Sequence, residues 1–323
     1  MAHFDVFNGD ADGICALHQL RLARPREATL ITGAKRDIAL VKRVQAKAGD
    51  SLTVLDISFD TNRAAVCALL EQDIHVEYFD HHHAGDLPMN VNLMAHIDTT
   101  AQVCTSVLVD RHLQGKYRLW AIAAAFGDNL PKTARELAEK EGLPEEQIEQ
   151  LCELGESINY NAYGDSVDDL FIAPAALYEA IKPYANPFDF IAGEPLLERL
   201  ASCRDDDLAR AHEITPLIAL QYGSVCVLPD EPWARRVRGV FANALAIGEP
   251  GHAHAVLSVN ADGNYAVSVR APLESPRGAD ELCRGFPGGN GRVGAAGIDC
   301  LDSTRLDQFV SAFARVFGRA ASR

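Results

Sequence analysis

Residues 3–13 read HFDVFNGDADG, and this stretch decides the fold. His3–Asn8 is a short run of strand-forming residues, and the acidic, glycine-containing turn after it opens onto a helical pattern, Ile14–Ala23. The alternation then repeats. Thr29–Thr32 reads as a second strand, Ser51–Ile57 (SLTVLDI) as a third and Ile74–Phe79 as a fourth. Between them, Ile38–Ala48 (apolar at 38, 40, 41 and 44) and Thr61–Gln72, with Thr61 as N-cap, read as helices. Strands alternating with helices imply an α/β fold, a doubly wound parallel sheet covered on both faces.

Helical patterns follow at Ala101–Leu113, Leu119–Phe126, Lys132–Glu141 and Glu145–Ile158, then a loop at Tyr160–Asp169 and a helix at Ala175–Tyr184. The reading places a first domain at 1–190 and an acidic, helical connector at 191–222. A smaller α+β domain at 223–323 has strands at Gly223–Leu228, Ala253–Asn260 and Tyr265–Arg270, the last two joined by a turn at 260–264. A short helix at Gly278–Cys283, a glycine-rich stretch at Pro287–Gly297 and an amphipathic helix at Leu306–Ala320 complete it.

The 323 residues suit about two domains of ~150 residues. With 48% hydrophobic and 23% charged residues, disorder and fibrous folds are excluded. The longest apolar run, Leu119–Phe126, is too short to span a bilayer, and Met1–Asp12 does not read as a signal peptide. The eight cysteines form no C-x-x-C pair and read as reduced, mostly buried thiols, Cys15 and Cys104 among the core. Together these features predict a soluble, cytoplasmic protein without a membrane partner. The net charge is −15, and the acidic excess lies in residues 1–223, because 224–323 hold eleven arginines against ten carboxylates. Long nucleic acid, which needs many Lys/Arg–phosphate contacts, is disfavoured; a small anionic substrate or a carboxylate-held metal is compatible.

Chemistry-bearing residues fall where strands or helices end: Asp10 and Asp12 in NGDADG, Asp56 in VLDIS, Asp80-His81-His82 in YFDHHH and Asp128 in AFGDN. Open α/β sheets bind ligands at the carboxyl ends of their strands, which brings these groups together. Carboxylates with one or two imidazoles suit an ion such as Mn²⁺, not a thiolate zinc site. Two such ions ~3.5–4 Å apart would activate water and stabilise a leaving oxygen, giving metal-assisted hydrolysis of a phosphate ester. Each piece has a plainer reading. Asn8–Gly13 fits half a calcium loop, although its twelfth position is Gln19 rather than Glu, and Asp56 or Asp128 alone could cap a helix. Their co-occurrence in this order is the specific signal.

That order, D-x-D-G, an Asp after an apolar strand, D-H-H and G-D-N, resembles the DHH phosphoesterase superfamily. This group includes RecJ-type exonucleases, nanoRNases that are also pAp phosphatases, cyclic-dinucleotide phosphodiesterases and family II pyrophosphatases. The stretch PGGNGRVGAAG at 287–297 is similar to the G-G-G-H-x-x-A-A-G signature of the DHH-associated C-terminal domain. The resemblance implies Asp10 as ligand of a first metal and Asp12 of a second. It makes Asp56 a bridge between the ions, completes the second site with His81 and Asp128, and aims His82 at the substrate phosphate. Asp80 then orients a histidine, and His83 is left as a solvated loop residue.

Two positions depart from the pattern. Many members carry a histidine ligand of the first metal four residues before the first motif Asp, where this chain has Val6, so Asn8 or a water would fill the gap, and the first site is expected to be weaker than the second, with one or two ions bound. Arg292 replaces the signature histidine. With the N–H groups of Gly288, Gly289 and Gly291 it suits a phosphate. Arg270 stands where the family has a substrate arginine, and Asn290 is placed to meet a base or sugar. The plainer readings are a tight structural turn for the glycines and an exposed strand residue for Arg270. Gly289–Gly294 also matches G-x-G-x-x-G but opens no βαβ unit. His252 and His254 read as ordinary surface residues.

The expected function is a Mn²⁺-dependent phosphoesterase, with Mg²⁺ or Co²⁺ as substitutes. Its substrates would be dinucleotides, oligoribonucleotides of a few residues, or pAp. A RecJ-like single-stranded DNA exonuclease is the alternative, and a catalytically inactive nucleotide-binding protein the alternative of another class. A homodimer would be ordinary for such a chain.

Overall fold

The computed structural model describes residues 1–260 and 262–318. It divides into two compact units, Met1–Ser202 and Cys203 onward. In the first unit β1 (His3–Phe7), α1 (Ala11–Ala23), β2 (Thr29–Ile31), β3 (Ser51–Leu55), α2 (Phe59–Leu70), β4 (His75–Asp80) and β5 (Leu93–Ile97) follow in order. The five strands form one sheet, β2-β1-β3-β4-β5, with every pairing parallel.

Alternate side chains along β1 face opposite sides, so Phe4 and Val6 enter one core with Val54, Val76, Tyr78 and α2, while Phe7 enters the other with Leu55 and Phe79. The second core is built by α1 and then α3 (Thr105–His112), α4 (Arg118–Gly127), α5 (Pro131–Lys140), α6 (Glu145–Asn161), α7 (Pro174–Ile181) and α8 (Pro187–Gly193). Helix α1 is buried all round from Ala11 to Leu20, which explains its lack of an amphipathic stripe. Gly127 on α4 and Gly155 on α6 allow a close crossing. A Cβ on Gly155 would sit 1.9 Å from the Ala123 carbonyl oxygen, and one on Gly127 2.7 Å from that of Gly155.

Helix α9 (Leu196–His212) carries the boundary between the units. The second unit contains β6 (Ile218–Leu220), β7 (Gly223–Leu228), α10 (Pro232–Gly248), β8 (Ala253–Val259), β9 (Tyr265–Arg270), α11 (Ala279–Arg284), β10 (Gly289–Arg292), β11 (Ala295–Leu301) and α12 (Leu306–Phe317). Its sheet runs β10-β11-β9-β8-β7-β6 and is antiparallel except for β7–β8. No described helix is long and apolar enough to cross a membrane.

Several expectations are corrected. The helix at 38–48 is only a 3-10 turn, Val41–Arg43. Asn62 takes over its backbone groups, donating to the Ile38 carbonyl at 2.7 Å and accepting from the Val41 N–H at 3.2 Å. Helix α2 starts two residues before Thr61, with Ser58 as N-cap. Helix α3 starts at Thr105 rather than Ala101. The loop from Tyr160 loses two residues to α6 and holds a 3-10 turn at Val167–Asp169. The connector expected to be helical over 191–222 is helical only to His212 in α9 and then enters β6, and the glycine-rich stretch is the β10–β11 hairpin. Edge strand β5 and the arginine-rich α10 escaped the reading. His254 is fully buried, with Nδ1 2.9 Å from Ser224 Oγ, whereas His252 pairs with exposed Glu249. The cysteines are free; Cys15, Cys104, Cys226 and Cys283 are buried and Cys300 is exposed. Ala261 in the 260–264 turn and the last residues of the expected 306–320 helix lie outside the described residues.

His18 on α1 gives the core a pH response. It is 1% exposed, its Nε2 lies 2.8 Å from the Tyr184 carbonyl oxygen, and its ring meets Trp120 edge-on at 4.7 Å. Burial depresses its pKa from 6.5 to about 4. The unfolded chain therefore binds this proton first, so the contribution is complete above pH 6.5 and is lost as pH falls toward 4. Urea denaturation between pH 7 and 4 should show His18→Gln losing about 3 kcal/mol less stability than the wild type. Parallel losses would show that His18 is not the titrating group.

Candidate metal centre

The sheet delivers its polar residues to one edge. Asp10 ends the turn after β1 and is the N-cap of α1, accepting the Gly13 N–H at 3.0 Å. Asp12, in the first turn of α1, accepts the N–H groups of Thr105 at 2.7 Å and Ser106 at 2.6 Å, which sets where α3 begins. Asp56 follows β3 with a left-handed φ of 58°, a conformation that costs about 1 kcal/mol or more outside glycine and is best tolerated by Asn and Asp. Asp80 ends β4. Asp128 is the C-cap of α4, brought in by the Gly127–Gly155 crossing.

These groups converge. His81 Nε2 lies 3.4 Å from Asp56 Oδ1, 3.9 Å from Asp128 Oδ2 and 4.0 Å from Asp12 Oδ2. Asp12, His81 and Asp128 each offer a ligand atom within 4.8 Å of the others, and so do Asp56, His81 and His82. His81 is oriented by its Nδ1, 3.0 Å from the Val103 carbonyl oxygen. Fully buried Asp80 binds His82 Nδ1 at 2.7 Å and accepts the Phe59 N–H at 3.3 Å, tying the histidine to α2.

Two neighbours were not legible as site residues. Thr105 Oγ1 donates to Asp56 Oδ1 at 3.1 Å. The Lys35 ammonium sits 2.6 Å from Asp10 Oδ2 and 3.6 Å from Asp128 Oδ1. Lys35 lies in an unremarkable GAKRD stretch, and only its position beyond β2, next to β1, could have pointed to it. Asn8 turns its side chain to the backbone, accepting from the Asp10 N–H at 3.3 Å and donating to the Lys35 carbonyl at 3.4 Å. Val6 is fully buried, and His83 is exposed.

The electrostatics call for a cation. Burial, then Asp12, Asp10 and Asp128, push the Asp56 carboxyl well above the usual range. Burial and Asp12 raise Asp128 to about 6 against the pull of Lys35. At Asp10 burial is outweighed by Lys35 and the Gly13 N–H, so its pKa is lowered. The Asp80 hydrogen bond raises His82. Cys15 and Cys104 stay protonated, their thiols driven up by burial and Asp12. The donors are thus carboxylate oxygens and imidazole nitrogens, a set that fits Mn²⁺ or Mg²⁺.

The second unit holds the other candidates. Arg292 pairs with Ala295, and Ala295 with Arg270, so the two arginines share one face of the sheet. Arg270 Nε donates to Asn243 Oδ1 on α10 at 2.6 Å, while Asn290 and Arg292 are exposed. The glycines serve packing: a Cβ on Gly289 would lie 1.7 Å from the Cys283 carbonyl oxygen, and Gly291, at φ 142°, presses on Ala296. The Gly291 N–H is bound by Asn290 Oδ1 at 2.8 Å.

Neither a family model nor a curated protein matches the sequence. Solved structures do. Exonuclease RecJ bound to manganese aligns with TM-score 0.61 at 17% identity, over 96% of this chain and 88% of that one. RecJ from Thermus thermophilus with Mn²⁺ aligns with TM-score 0.64 at 18% identity; this chain is covered over 96%, but spans only 51% of that protein. The pGpG-specific phosphodiesterase PggH from Vibrio cholerae aligns with TM-score 0.58 at 13% identity, over 98% of both chains. The parallel sheet with a separate mixed sheet, together with these likenesses, gives the chain the fold shared by RecJ and PggH.

Proposed function

We propose that the chain is a manganese-dependent phosphoesterase that hydrolyses short nucleotides: dinucleotides, oligoribonucleotides of a few residues, or pAp. The observation that carries this reading is the convergence of Asp12, Asp56, His81 and Asp128 at the carboxyl edge of a parallel sheet. These residues would hold a divalent ion, which when bound would supply a Lewis acid for a phosphoryl oxygen and lower the pKa of a water. Thr105 fixes the Asp56 carboxylate. Asp80 holds His82 through Nδ1, leaving Nε2 to carry a proton to the departing oxygen. Arg270 and Arg292 take a substrate phosphate, with Asn290 beside them, while the N–H groups of Gly289 and Gly291 are engaged by the Phe286 carbonyl and Asn290 Oδ1.

Short substrates are favoured by the net charge of −15 and the 7% aromatic content, which suit neither a long phosphate backbone nor a stacking groove. Single-stranded DNA exonuclease is the second reading, favoured by the two RecJ likenesses.

Incubation with Mn²⁺ and pAp, a 5′-phosphorylated dinucleotide, a five-residue RNA, long single-stranded DNA, a cyclic dinucleotide and pyrophosphate tests the choice. Mononucleotide release from the short linear substrates is expected, and Asp56→Ala should lose more than the ~10–100-fold typical of an outer partner. Preferred cleavage of long DNA would select the exonuclease, and no turnover on any substrate would remove the enzyme reading. Arg270→Ala and Arg292→Ala should each raise KM about tenfold or more with a smaller change in kcat, because a hydrogen bond to a charged group is worth about 1.5–3 kcal/mol; equal falls in kcat would contradict a binding role. In the metal-free protein, Asp80→Asn should lower the His82 midpoint in an NMR titration. An unchanged midpoint would mean that Asp80 does not tune that imidazole.

A further inference from the structure

Lys35 is built into the centre. Its ammonium has three N–H donors and meets three oxygens: Asp10 Oδ2 at 2.6 Å, Asn159 Oδ1 at 3.1 Å and Asp128 Oδ1 at 3.6 Å. Its backbone is pinned as well. The Lys35 N–H donates to the Ala162 carbonyl at 3.0 Å, and its own carbonyl accepts from Asn8. Asn159, on α6, is steadied by donating to Tyr163 Oη at 2.8 Å.

Asp10 touches the Asp56 carboxyl, yet its close charged partner is the Lys35 ammonium. Among the described residues, neither group able to hold an ion includes it. Val6 offers no donor atom on its side of the turn. The Lys35 ammonium on Oδ2 and the Gly13 N–H on Oδ1 already engage both Asp10 oxygens and offset its charge, which leaves little there to hold a divalent ion. Ammonium and ion compete for the charge of one carboxylate.

We propose that the Lys35 ammonium takes the place of one ion of a two-ion centre, so that the protein holds a single divalent ion on the side of Asp12, Asp56, His81 and Asp128. The inference rests on the metal-dependent reading above and deepens it. The charge facing the substrate phosphate from the Asp10 side is a fixed, exchange-inert +1 rather than a dissociable +2. Lysine suits that position because it is a compact point charge on a flexible stem, able to follow a phosphate oxygen without releasing Asp10.

Calorimetric titration and metal analysis of the full chain with Mn²⁺, together with frozen-solution EPR, test this without reference to turnover. The wild type should bind one Mn²⁺ per chain and give the spectrum of an isolated ion. The double variant Val6→His/Lys35→Ala should bind two, with the multiline pattern of an exchange-coupled pair. Two ions per wild-type chain would overturn the assignment whether or not the variant folds, and so would a folded double variant that still binds one. The outcomes separate the two readings. An active wild type with two ions refutes only the role of Lys35, whereas an inactive wild type with one ion refutes the hydrolase and leaves Lys35 in place.

Discussion

Asp10, Asp12, Asp56 and Asp128 bring four carboxylates together at one edge of the sheet, and the first unit is organised around their mutual repulsion. Two unit charges 4 Å apart repel by about 4 kcal/mol at an effective dielectric of 20, comparable to a large part of a domain's net stability. The fold offsets this in three ways. Helix N-termini donate N–H groups to Asp10 and Asp12, Lys35 places a cation against Asp10, and Asp56 and Asp128 hold their protons unusually tightly. What remains is an affinity for a divalent ion that follows from the architecture.

Precision comes from backbone contacts far less visible than the charges. The crossing at Gly127 and Gly155 lets α4 and α6 approach until carbonyl and Cα nearly touch, and the same approach carries Asp128 to the centre and Asn159 to Lys35. Any side chain at either glycine would move Asp128 and the Asn159 partner of Lys35 together. Asp80 has a similar double role, joining the end of β4 to the start of α2 and holding His82.

Reading from sequence succeeded where the signal was local. The first four parallel strands stand out because buried strands are apolar runs ended by polar turns, and the motif aspartates stand out because they terminate such runs. It failed where tertiary contact decided. Asn62 unwinds an apolar pattern at 38–48 that by periodicity is helical, and Asp12 rather than any nearby residue sets the start of α3. Lys35 and Thr105 carry no motif; only the adjacency of β2 to β1 and the packing of α3 on α1 bring them to the aspartates. The glycines at 289 and 291 had two readings, and their steric contacts with α11 and β11 account for them as packing residues.

The contacts of Asp12 bear on the chemistry of any ion it would hold. Both its oxygens already accept N–H groups at the positive end of α3, which draws electron density away from them. A carboxylate so engaged is a poorer electron donor than a free one, so it neutralises less of a bound ion's charge. An ion bound there would keep a larger share of its Lewis acidity, because the helix that fixes Asp12 also draws on its charge.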